Sequence, residues 1–115
     1  NCDYDLTKAG NLLDKYPNLF LDISARYGET STIPRYMQKF YDKYQDRLLY
    51  GTDMGMNKHM YQVTFRILET LDEHFYETQL FFYHWSLNGF GLSDKILKKL
   101  YLTNAQKITD YEDKK

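Results

Sequence analysis

The chain has one cysteine, two prolines, six glycines and no long apolar run. Cys2 alone has no partner for an internal disulfide, and without a Cys cluster there is no structural zinc knuckle. A lone thiol of this kind suits a reducing compartment, so a cytoplasmic location is expected. No apolar stretch approaches the roughly 18–20 residues of a membrane span, which excludes the membrane as a partner. An excess of charge is also missing. Fifteen Lys and Arg against sixteen Asp and Glu leave a formal charge of −1. Without a net basic field nothing holds phosphate backbones, and nucleic acid is excluded too. There is no signal peptide. That absence carries little weight, because the chain opens Asn1-Cys2-Asp3 without an initiator methionine. Missing as well are a Gly-x-Gly-x-x-Gly or phosphate-loop pattern, the Gly-x-Ser-x-Gly context around Ser24 or Ser86, and a His-Glu-x-x-His helix.

What is present is globular. Hydrophobic residues make up 43% of the 115, and twelve tyrosines with seven phenylalanines supply large buried areas with polar tips. The length suits one domain, and is far short of the roughly 250 residues of a complete eight-stranded α/β barrel. Residues 1–109 read as a portion of a single domain, and Asp110 to Lys115 as a polar tail.

Helical and strand patterns alternate along the chain. Leu6, Ala9, Leu13 and Tyr16 share one face of a helix over Tyr4–Tyr16, which Pro17 ends. Leu19–Ser24 is a short apolar strand, and Gly28–Thr32 a loop. Thr32 is placed to cap a helix that has Pro34 in its first turn and turns Met37, Phe40, Tyr41 and Tyr44 inward. Arg47–Thr52 is a second strand, followed by a loop over Asp53–Asn57. A long helix then carries Met60, Val63, Ile67, Leu71 and Phe75. Glu77–Leu92 is an aromatic-rich connection with no assigned element. Ser93 is the expected cap of a helix bearing Ile96, Leu97 and Leu100, before a last helical turn with Asn104, Ala105 and Ile108. One helix lies between strands that begin at Leu19 and Arg47, the length of a βαβ crossover, so the strands should run parallel. The fold class is α/β.

Strand alternation puts Leu49, Gly51 and Asp53 on one face and Leu48, Tyr50 and Thr52 on the other. In the first strand Phe20, Asp22 and Ser24 oppose Leu19, Leu21 and Ile23. Each strand has an apolar face for helices, and a second face that turns polar near its C-terminal end, where ligands sit in open sheets and barrels. Asp53 is the principal candidate. A carboxylate closing a buried strand needs a metal or hydrogen-bond donors to compensate it. With a divalent metal it serves as ligand, as acceptor for the proton of an attacking water, or as both. A plain loop-starting or helix-capping aspartate fits the spacing equally well. Asp22 fits a structural pairing with Arg26 or Arg47 better than a site role. Arg26 suits an anionic substrate group or a surface ion pair. His84, beside Trp85, lines a pocket mouth or packs. His59 and His74, fifteen positions apart on the expected long helix, are about four turns from each other and cannot share a metal.

Three ordered stretches resemble the amidohydrolase superfamily, in its amidohydrolase-2 type barrels. Leu12 to Arg26, with Tyr16-Pro17-Asn18 leading to Asp22-Ile23-Ser24, resembles the approach to strand seven and the strand itself. Lys43 to Asp53 resembles strand eight with its terminal Gly51-Thr52-Asp53. Gly89 to Leu100, continuing to Asn104-Ala105, resembles the closing helices. The resemblance implies about the last third of a (β/α)8 barrel. It also implies a divalent metal, usually zinc, at the strand ends, and Asp53 as metal ligand and general base. The reaction implied is hydrolysis of an ester, lactone or amide-type bond in a small-molecule substrate. Decarboxylation of a small carboxylic acid, or a non-catalytic α/β binding or assembly module, stands as the alternative. The family's His-x-His pair and its other histidine ligands have no matching positions here. The 115 residues alone are therefore expected to be inactive, or to associate, for example as a homo-oligomer, to bury their surfaces.

Overall fold

The computed structural model describes residues 6–113. Cys2 and the first residues of the expected N-terminal helix lie outside that range. The elements run α1 (Leu6–Lys15), β1 (Leu21–Asp22), α2 (Tyr27–Thr30), α3 (Pro34–Lys43), β2 (Leu48–Leu49), α4 (Lys58–Glu69), α5 (Asp94–Lys98), a π-helical turn (Lys99–Thr103) and α6 (Asn104–Asp113). The chain is α/β. Helix α6 extends into the polar stretch that begins at Asp110. Among the described residues, no helix is long and apolar enough to cross a membrane.

The two strands pair in parallel with Leu21 opposite Leu48 and Asp22 opposite Leu49. Both are shorter than the apolar runs predict, because each has one neighbour and the ladder spans only that overlap. Backbone bonds from Leu21 N–H to the Arg47 carbonyl and from Ile23 N–H to the Leu49 carbonyl, each 3.0 Å, flank it. On its outward edge β2 meets the C-terminal segment rather than a strand. Tyr50 N–H donates to the Leu100 carbonyl at 3.2 Å, and the Asn104 side-chain amide donates to the Leu48 carbonyl at 2.9 Å.

Helix α3 turns Met37, Phe40 and Tyr41 into the core, and Tyr44 follows them at its C-terminal end. Its N-cap position falls on Ile33 rather than Thr32, because the helix begins at Pro34. The Thr32 hydroxyl bonds the Glu29 carbonyl at 2.6 Å instead. The loop expected over Gly28–Thr32 is partly helical, since α2 covers Tyr27–Thr30. Tyr16, expected on the buried face of the first helix, is exposed past its end. Helix α4 is capped by Asn57, whose side chain accepts from Met60 N–H at 3.0 Å. It is shorter than its stripe predicts. Thr70 is extended, its hydroxyl bonds the Arg66 carbonyl at 2.7 Å, and the helix stops at Glu69. Leu71 is consequently exposed, and Phe75, off the helix, is buried with its backbone paired to Leu87 and the Arg66 guanidinium of α4 over its ring at 3.8 Å. His74 is off the helix too, exposed and with φ 55°. Ser93 does cap α5, accepting from Ile96 N–H at 3.3 Å.

The core joins Leu13 of α1, Leu48 of β2, Ile67 and Leu68 of α4, Leu87 and Phe90 of the following segment, and Leu100 of the π turn. It lies on the helix-facing side of the sheet. Ile23, Leu48 and Thr52 are buried there, whereas Asp22 and Asp53 are exposed and Ser24, Leu49 and Gly51 half-buried.

Candidate functional site

Beyond the C-terminal ends of the strands lies an open cavity of about 210 Å³. Its wall includes Asp53 and Thr52 from the end of β2, Tyr27 from α2, Met60 from α4, and Phe81 and Tyr83 from the aromatic connection. Asp53 is exposed. It has φ 59°, a left-handed conformation that aspartate tolerates better than most residues. Ala25 (φ 61°) also lines the cavity, and Phe82 (φ 56°) sits between two lining residues. Backbone strain of this kind gathers at functional sites. Two of the four left-handed non-glycine residues among those described, Asp53 and Ala25, line this cavity.

Thr52 fixes the turn that presents Asp53. Its hydroxyl donates to the Met54 carbonyl at 3.0 Å and accepts from Met54 N–H at 3.2 Å. Tyr27 ties α2 to the strand end, donating its hydroxyl to the Gly51 carbonyl at 2.7 Å. Burial pushes the Tyr27 phenol far above its ordinary range, so this donor keeps its proton. Burial raises the Tyr83 phenol too. Glu29 adds to that shift and Arg26 opposes it.

Asp22 stands apart from the cavity. Its carboxylate accepts from Ser24 N–H at 2.7 Å and from the Ser24 hydroxyl. Arg47, the other partner considered for it, is spent elsewhere: its guanidinium donates to the Leu19 carbonyl at 2.6 Å and to the Tyr16 carbonyl. Gly51 faces the Asp22–Ser24 pair. A Cβ there would stand 2.3 Å from the Ser24 hydroxyl and 2.8 Å from Asp22 Oδ1, so only glycine fits without moving them. Ser24 and Asp22 thus fill the space a side chain at Gly51 would need.

Arg26 precedes α2 and is half-buried, and it does not line the cavity. His84 is exposed and also outside the lining. His59, in the first turn of α4, pairs with Glu77 at 2.9 Å. The cavity therefore brings Asp53 together with aromatic and sulfur-bearing side chains, not with Asp22, Arg26 or His84. Tyr27, Phe81 and Tyr83 carried no site signal in their local patterns. The density of Leu80-Phe81-Phe82-Tyr83-His84-Trp85 was the one available hint.

Among the described residues no three His, Cys, Asp or Glu side chains gather as a metal site. A catalytic zinc generally takes three protein ligands, and Asp53 offers one. The described residues alone do not complete a zinc centre. They form a carboxylate set in an apolar and aromatic mouth, suited to proton acceptance or to one ligand bond. No protein-family model, curated protein or solved structure matches the chain.

Proposed function

We propose that the chain is the C-terminal portion of an amidohydrolase-type (β/α)8 barrel. Its complete form would hydrolyse an ester, lactone or amide-type bond with a divalent metal, zinc foremost. The observation that carries this reading is the one-sided cover of the parallel pair: Ile23 and Leu48 are buried against helices while Asp22 and Asp53 stand bare. In a closed barrel the face away from the helices looks into the ring, and chemistry sits at the C-terminal strand ends, where Asp53 emerges. In this reading Asp53 is a metal ligand and accepts the proton of the attacking water. The remaining ligands belong to strands outside these 115 residues. Ring closure past β2 also has a constraint, since the Leu48 carbonyl and Tyr50 N–H are taken. A further strand would pair with β2 beyond Tyr50.

That same capped edge favours a second reading, a self-contained α/β binding module in which Asp53 only opens a loop. Hydrolysis assays on the full-length polypeptide that carries this segment separate the two. With an ester and lactone panel, a chelator should abolish activity, added zinc should restore it, and Asp53→Asn should lower it about 100-fold or more. Full activity in Asp53→Asn, or in the chelated protein, would remove the enzymatic reading.

A further inference from the structure

The Asp53 cavity is unbalanced in charge. Asp53 is the one charged side chain among the described residues that line it, and no lysine, arginine or histidine joins it there. No described residue donates a hydrogen bond to the Asp53 carboxylate or forms an ion pair with it. Other polar groups of the wall are committed. The Tyr27 hydroxyl donates to the Gly51 carbonyl, and the Thr52 hydroxyl turns back on Met54. Arg26 and Glu29 act on Tyr83 from outside the lining, with opposite signs.

The rest of the wall is largely apolar and held in place. Phe81 and Tyr83 supply rings, Leu80 an aliphatic side chain, and Met54 and Met60 thioethers. Phe81, Tyr83 and Trp85 form a ladder, with successive ring centroids 5.6 Å and 4.2 Å apart. Gly28 gives the ladder its seat: a Cβ there would stand 1.7 Å from Tyr83 Cε2. The Trp85 indole N–H donates to the Gly28 carbonyl at 3.0 Å, which fixes the ladder on α2. Leu80 is fixed from the other side, where its N–H donates to Glu77 at 3.1 Å while Glu77 pairs with His59 of α4. Walls arranged before binding lose little when a ligand arrives.

Size and charge together select a ligand. A closed apolar cavity of about 150 Å³ holds one benzene. At about 210 Å³ this open one has room for a ring and a short arm. A bare carboxylate beside it attracts a cation, since a hydrogen bond between charged partners is stronger than a neutral one. An anionic ligand meets repulsion from Asp53 and finds no cation among the lining residues. We propose that this cavity binds a small primary ammonium ion carrying one ring-sized apolar group, with the ammonium on Asp53 and the ring against Phe81, Tyr83 and Met60. This goes beyond the hydrolase reading, because it concerns what the 115 residues bind by themselves. A zinc held by Asp53 would turn the preference towards anions, so the two readings separate by experiment.

The test is a titration of the chain, its methionine methyls labelled with carbon-13, in chelator at neutral pH. Benzylamine, benzyl alcohol and benzoate share one ring and differ in charge. Benzylamine should move the methyl signals of Met54 and Met60, and leave in place that of Met37, buried on α3. It should bind about fivefold or more tighter than benzyl alcohol, with benzoate weakest. Asp53→Asn keeps a residue that tolerates the left-handed backbone. In it benzylamine and benzyl alcohol should bind within about twofold of each other. Benzyl alcohol or benzoate binding the wild-type chain as tightly as benzylamine overturns the proposal, and so does an absence of shifts with all three. Undiminished benzylamine binding by folded Asp53→Asn overturns it as well. Should that variant not fold, salt decides on the wild-type chain. About 0.5 M sodium chloride should weaken benzylamine about threefold and leave benzyl alcohol unchanged, and an equal response of the two overturns the proposal.

Discussion

The side-chain amide of Asn104, at the head of α6, donates to the Leu48 carbonyl of β2 at 2.9 Å and to the Gln45 carbonyl at 2.7 Å. Asn104 is fully buried, and with the Leu100–Tyr50 backbone bond it closes the strand edge that would otherwise be open to pairing. The chain's last elements thus cover the outer edge of β2.

Asn104→Ala removes both donations at once. Buried acceptors left without donors cost about 1–3 kcal/mol each, so a loss of about 2–4 kcal/mol is expected. Urea unfolding measures it, as a lower midpoint at unchanged slope. A change within about 0.5 kcal/mol would assign Asn104 no more than a surface residue's weight.

Gly51→Ala drives a methyl into the Ser24 hydroxyl that holds Asp22. Crowding of this kind costs about 1–2 kcal/mol. Because the clash is with a side-chain oxygen, Ser24→Ala should recover part of it. A double-mutant cycle is expected to show coupling above about 0.5 kcal/mol, and strict additivity would place the strain elsewhere.

Burial pushes the phenols of Tyr27, Tyr41 and Tyr101 upward, and Glu69, whose carboxylate accepts a hydrogen bond from the Tyr101 hydroxyl at 2.9 Å, adds to the last. In the unfolded chain these phenols lose protons from about pH 10. The folded chain holds them longer, so their contribution is complete below that pH and is lost as the pH climbs through the raised folded values. Tyrosinate absorbance should rise in two phases, the later one coinciding with loss of helical circular dichroism. A single phase near pH 10 with the fold intact would contradict this.

Much of the framework was legible in the sequence because it depends on local pattern. The inward residues of α3 follow helical spacing, Ser93 caps by residue type, and the crossover between Leu19 and Arg47 has the length that parallel pairing needs. The end of α4 was not legible. Leu71 and Phe75 continue its apolar stripe, but Phe75 takes Leu87 as partner twelve residues later, and no local pattern shows that contact. The candidate site is split in the same way. The place of Asp53 at a strand end is local information. Its exposure, its left-handed backbone and the walls from Phe81 and Tyr83 come from distant chain. Alternation puts Asp22 on the polar face of its strand and favours a structural pairing, but only the fold shows that Ser24, two residues on, occupies its carboxylate.

In the proposed hydrolase Asp53 holds a metal in the full-length polypeptide, and metal content is the direct measurement. Elemental analysis of that protein, purified without added metal, should find a bound divalent ion that is largely lost in Asp53→Asn at unchanged helical signal. Equal metal content in the two proteins, or none in either after zinc is supplied, would contradict it.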